Sequence, residues 1–205
     1  MKKLLKLFIL GIFFIVSGCI SCSKTDEHKL DTAEKLLFES VSDSDSAKEE
    51  KALLLFNEII VEDPNNYRAL NQRSTILANR GNYVAALGDI KKVIELRPDV
   101  SIYKLTECLF REKIERSIPK DCYQEIIDKF GVKPNETLST TKHSDYISAG
   151  LLLGREDIRQ QALEALEREK SNYNESLYSA QKEFIKNFDR ETYLNEGFLS
   201  GDKLN

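Results

Sequence analysis

The stretch YRALNQRSTILANRGNYVAALGDIKKVIELRP, running from Tyr67 to Pro98, decides the fold class. Leu70, Ser74 and Leu77 are spaced by four and three residues, which puts them on one face of a helix. Gly81-Asn82-Tyr83 then interrupts the pattern with residue types suited to a turn. Ala86, Ile90 and Val93 resume it on a second helix. Pro98 ends that helix, because proline has no amide proton to donate and its ring clashes with the preceding turn. Small side chains at Ser74 and Ala86 allow two antiparallel helices to approach closely, so the stretch is a helical hairpin.

The hairpin recurs. Pro64 stands 34 residues before Pro98, and at the same step Ala86, Ile90 and Val93 fall on Ala52, Phe56 and Ile59. An earlier hairpin is therefore expected, with helices over about Asp31 to Val41 and Ala47 to Glu62. Between them lies Ser42-Asp43-Ser44-Asp45-Ser46, and Ser46 with Glu49 has the spacing of a capping box.

These residues together resemble the tetratricopeptide repeat, with Leu77 departing from the aromatic that the family usually places there. The resemblance implies an all-α chain built as a short solenoid of helical hairpins, with Tyr83 wedged between neighbours. It also implies a concave groove lined by the first helix of each hairpin, which in the clearest repeat places Arg68, Asn71, Gln72, Thr75 and Asn79 in that groove. Long amides and a guanidinium on such a wall suit an extended peptide, with Arg68 meeting a carboxylate. Ordinary solvated polarity accounts for the same side chains equally well. The next hairpin would present Ile102, Leu105 and Leu109 at the corresponding places, an apolar patch that something must cover.

A third repeat fits if the turn near Arg116 to Pro119 holds two extra residues, so that Pro134 takes the terminating place. Ser74 then corresponds to Cys108 and Ala86 to Cys122, which sets both cysteines in the slots where paired helices touch. Two readings stand: a disulfide closing a loop of 13 residues in an oxidising compartment, or two small buried hydrophobes. Beyond it, Asn135 to Lys142 has loop composition, and His143 is read as part of the same polar loop. Helical stripes resume at Tyr146, Ala149, Leu152 and Leu153, then at Ile158, Ala162, Leu163 and Leu166. The last stripe is Tyr173, Leu177, Ala180, Phe184 and Phe188, read as core before partner surface. The predicted organisation is repeats over 31–64, 65–98 and 99–134, followed by a divergent helical hairpin and cap over 135–205.

The N-terminus has the layout of an export signal: Lys2, Lys3 and Lys6, an apolar run from Leu7 to Val16, then Ser17-Gly18-Cys19. The apolar run is shorter than the roughly 20 residues a bilayer core requires. Val16-Ser17-Gly18-Cys19 resembles a bacterial lipobox, which implies cleavage after residue 18 and lipidation of Cys19. The mature chain is then expected at a membrane surface facing the periplasm, with 19–30 as a polar tether and Cys22 as a free thiol. Ile20 after the lipidated cysteine implies outer-membrane sorting under the usual Gram-negative rule.

The whole chain carries 30 basic and 34 acidic residues, and loss of the signal leaves 27 against 34, a formal charge of −7. Nucleic acid is an unfavoured partner, since phosphates require a basic face. Enzymatic constellations lack material: His28 and His143 are the only histidines, and no glycine-rich phosphate loop or nucleophile elbow is present. No cofactor, metal or small-molecule substrate is expected. The expected function is a membrane-anchored adaptor for another envelope protein or peptide segment, serving a secretion, pilus or envelope complex. The alternative is an immunity lipoprotein that neutralises a toxin acting in the periplasm.

Overall fold

The structure, a computed structural model, describes residues 27–197. The expected export signal, Cys19 and the expected tether up to residue 26 lie outside the described residues. The chain is all-α, and no strand occurs among the described residues. It divides into two compact units, Met1–Ile76 and Leu77–Asn205.

In the first unit, α1 occupies residues 27–43, α2 is Ser46–Glu62, and α3, Tyr67–Asn79, begins. Ion pairs fix α1 and α2 as an antiparallel hairpin: Lys29 meets Glu58 and Glu62 at one end, and Lys48 meets Glu39 and Asp43 at the other. Leu30, Ala33, Ala52, Phe56, Ile59, Ala69 and Ile76 form the core. Burying a side chain such as Phe56 stabilises the fold by roughly 1.5–3 kcal/mol.

Two expectations are corrected here. The polar tether does not reach residue 30, because 27–30 are already helical and Leu30 is a buried core residue. The cap of α2 is Asp45, whose carboxylate accepts the Ala47 N–H at 2.9 Å, and Ser46 is already the first helical residue. Ser44 adopts a left-handed backbone (φ 53°), which turns the chain one residue earlier than the Ser46–Glu49 spacing suggests.

α2 ends where Asp63 donates its N–H to the Ile59 carbonyl at 2.7 Å. Pro64 then enforces the turn, and the Asn66 side chain accepts the Ala69 N–H at the start of α3. The same sequence of events follows α4, Tyr83–Leu96, where Arg97 donates to Val93 at 2.8 Å and Pro98 follows.

The second unit contains α4, α5 (Ser101–Glu115), α6 (Lys120–Phe130), α7 (Ser144–Leu152), α8 (Glu156–Arg168) and α9 (Glu175–Lys186). Each helix packs on the next in sequence, and α7 also returns to α5. Gly81 (φ 75°) makes the turn before α4, Asn82 caps that helix by accepting the Ala85 N–H, and Tyr83 is its first residue rather than part of the turn. The Tyr83 ring lies 6.2 Å from that of Phe110 on α5.

Six consecutive residues of α5, Leu105 to Phe110, are buried, so this helix is covered on more than one side. Leu105, Cys108 and Leu109 join Cys122, Tyr123, Ile126, Ala149 and Leu152 in one cluster. Within it Cys108 and Cys122 form a disulfide, with their Cα atoms 5.6 Å apart. A second cluster joins Leu138, Ile147 and Leu151 to Ala162, Ala165 and Leu166 of α8 and to Tyr178 and Ile185 of α9.

Candidate partner-binding surfaces

Arg68, Asn71, Gln72, Thr75 and Asn79 all lie on α3. Two of them, Arg68 and Thr75, have partners within the chain. Arg68 spreads its guanidinium over three carboxylates of α1: Nη1 meets Glu27 at 2.8 Å, and Nη2 meets Glu34 at 2.7 Å and Asp31 at 3.6 Å. The bond to Glu34 is the leading cause that holds this guanidinium even more firmly protonated than usual. The Thr75 hydroxyl donates to the Asn71 carbonyl at 3.2 Å, the back-bonding common for threonine inside helices. Asn71, Gln72 and Asn79 remain half-buried.

Those three acids were missed in the sequence as site residues, although their spacing is readable. Glu27, Asp31, Glu34, Phe38 and Val41 follow steps of four, three, four and three, one face of α1. Phe38 is 75% and Val41 68% exposed. Leu30, Ala33 and Ser40 are buried, on the side of the helix that adjoins this face.

In the second unit, the apolar patch expected on α5 is closed from within. Leu105 and Leu109 are buried, with Phe188, Tyr193 and Leu194 of the C-terminal segment packed on the same cluster, while Ile102 stays partly exposed. Arg190 anchors that segment by pairing with Glu112 and donating to the Leu152 carbonyl. Tyr123 donates to Glu112 at 2.8 Å, and burial, reinforced by that carboxylate, pushes its phenol well above its ordinary range.

The stripe expected as core on the last helix holds at its ends, where Tyr173 and Phe188 pack on the second cluster, and is corrected at Leu177, Ala180 and Phe184, which are exposed. Tyr178 and Ile185 are the buried residues of α9, whereas Leu177 and Phe184 are each 46% exposed. Tyr178 finds partners for both its ends there: its hydroxyl bonds Glu167, and Lys170 and Lys182 sit over its ring. Phe184 leans on Phe188 and Tyr193 at 5.5 and 6.2 Å between ring centres.

His143 stands in the loop as expected, at the N-cap of α7, but it is buried there, being 5% exposed. Its Nδ1 accepts the Ser139 N–H at 3.0 Å and its Nε2 faces Glu136 at 3.5 Å, so it organises the loop before α7. A shallow groove of about 440 Å³ runs between α8 and α9. Two of its cations are committed: Arg159 donates to the carbonyls of Ile185 and Lys186, and Lys182 pairs with Glu167.

Among the described residues no group of three or more His, Cys, Asp or Glu is placed to hold a metal ion, and no helix is long and apolar enough to cross a membrane. No protein-family description matches the chain, and no curated protein matches its sequence.

Proposed function

We propose that this chain is a lipid-anchored helical-repeat adaptor of the bacterial cell envelope. In this reading lipid on Cys19 holds it at the periplasmic face of the outer membrane, and a tetratricopeptide-like array binds another envelope protein. One observation carries the proposal: the same helical end recurs. α2, α4 and α6 finish at Glu62, Leu96 and Phe130, 34 residues apart each time. Ala52 and Ala86, 34 residues apart, and Cys122, 36 residues further on, take the close-approach position, with Phe56, Ile90 and Ile126 four residues on, and all six are 1% exposed or less. Repeated hairpins of this kind offer extended outer surface for macromolecular partners. The half-exposed amides on α3 and the exposed face of α1 are the surfaces that fit such a role, and no catalytic step is part of it.

The acidic charge of the first unit favours one second reading, an immunity lipoprotein that masks a cationic toxin. Residues 27–76 hold 11 acidic and six basic side chains, a formal charge of −5.

The test is crosslinking in intact cells, followed by purification of the lipidated protein, alongside Cys19→Ser. The adaptor reading expects membrane attachment that Cys19→Ser abolishes, and one envelope component recovered in a defined ratio. A tight one-to-one complex that abolishes the toxicity of its partner selects the immunity reading. Membrane attachment that survives Cys19→Ser, or an absence of any stoichiometric partner, overturns the proposal.

A further inference from the structure

We propose that the face of α1 bearing Glu27, Asp31, Glu34, Phe38 and Val41 docks a partner segment that is basic at one end and apolar at the other. The inference deepens the adaptor reading and rests on it. Phe38 and Val41 stand three residues apart, close enough for one apolar side chain to cover both, and water now covers most of each. Placing Phe38 in contact with a partner removes apolar area from water, which favours the complex.

The other half of the face decides the partner's charge. Glu27, Asp31 and Glu34 share the single guanidinium of Arg68, which leaves that patch a formal charge of −2 within a unit of −5. A carboxylate-bearing peptide is repelled, because the one cation positioned to receive it is already paired three times over. Anionic headgroups are repelled for the same reason. A Lys or Arg side chain is attracted, and it competes with Arg68 for carboxylates that are one-quarter to two-thirds exposed. Fourteen helical steps separate Glu27 from Val41, a span of about 21 Å. That length accommodates a helix of four turns or roughly six extended residues.

The probe is a 15-residue peptide of leucine and lysine, basic towards one end, with a leucine and glutamate peptide of the same pattern as its counterpart. The protein is the mature chain released from the membrane by Cys19→Ser. The lysine peptide is expected to bind and the glutamate peptide to fail. Phe38→Ser with Val41→Ser weakens binding about tenfold or more. Glu27→Gln, Asp31→Asn and Glu34→Gln together weaken it and flatten its salt dependence. Leu54→Ser with Val61→Ser, equally exposed residues of α2, leave it unchanged. Equal losses in the two serine pairs, or none in either, overturn the proposal in favour of diffuse charge attraction. Capture by phosphatidylglycerol vesicles, or a dimer, that is lost in the Phe38 and Val41 pair also overturns it, assigning the face to a bilayer or a second copy. If the native envelope partner is retained undiminished by that pair, the adaptor reading stands and this face falls. If the peptide docks as described but no native partner exists, the adaptor reading falls instead.

Discussion

Arg190 and Glu112 meet across 78 positions of sequence, with the guanidinium Nη2 at 2.5 Å from one carboxylate oxygen and Nε at 3.1 Å from the other. The Glu112 side chain is only 9% exposed, and the Tyr123 hydroxyl completes its shell. Arg190→Ala therefore strands a carboxylate in a largely apolar setting. The expected loss is about 2–4 kcal/mol in urea unfolding, with faster amide exchange over residues 189–197. Arg190→Lys is expected to recover little, because an ammonium does not reproduce the forked contact to Glu112 together with the Leu152 carbonyl. A loss under about 0.5 kcal/mol for the alanine variant contradicts this view of the clamp.

The Cys108–Cys122 bond joins α5 to α6 and closes a short loop. Replacing both cysteines by alanine is expected to cost about 2–4 kcal/mol, since the unfolded chain regains freedom and two buried sulfurs are lost. Alkylation of the unfolded, unreduced protein checks the bond directly: neither cysteine should be labelled. Labelling of both would show the pair to be reduced in the cell-derived protein.

Gly150 and Gly88 are expected to respond oppositely to alanine. A Cβ on Gly150 would come within 2.6–2.9 Å of three side-chain atoms of Ile158, so Gly150→Ala forces α7 and α8 apart and costs about 1–3 kcal/mol. Adding Ile158→Ala should make the second change less costly than it is alone, a coupling that a double-mutant cycle reads. Gly88, exposed inside α4 with nothing within 4 Å of its added Cβ, should gain about 0.5–1 kcal/mol as alanine. Thermal unfolding of the three variants decides both signs.

Stability should fall in acid. The Lys142 ammonium, then the Lys133 N–H, hold the Glu136 carboxyl down to about 2 from its ordinary 4.5. Asp121 beside Arg111 and Glu167 beside Lys182 shift the same way. A carboxyl depressed in the folded state contributes stability that is complete above its unfolded value and is lost as pH falls through the folded one. For Glu136 the window runs from about 4.5 to about 2. Unfolding midpoints measured across it should drop for the natural chain and less steeply for Glu136→Gln. Identical slopes would remove Glu136 from the acid response.

The ends and faces of α2 and α4 were legible in the residues because each has a local cause. Pro64 and Pro98 stop helices wherever they stand, and Ala52 with Phe56, or Ala86 with Ile90, mark a face by spacing alone. The Cys108 and Cys122 pairing was legible for the same reason, as one of two readings, since a shared register puts both at the contact of one hairpin. The cap of α2 was misread by a single residue, because Asp and Ser are both capping residue types and only the left-handed turn at Ser44 selects Asp45 over Ser46.

Tertiary structure decided what local pattern left degenerate. On α9, Leu177 and Phe184 share one face and Tyr178 and Ile185 the next, about 100° round the helix, and each face offers two large side chains able to enter a core. The buried choice follows from α8, whose Ala162, Ala165 and Leu166 receive Tyr178 and Ile185 while Glu167 satisfies the phenol. Arg68 was readable as a cation on a polar face, but its three carboxylate partners lie more than thirty residues away in sequence. Sequence thus determined where this protein turns and which residues share a helix face. Only packing between helices determined which face is buried and which charges are already neutralised, because both depend on surfaces that distant segments bring together.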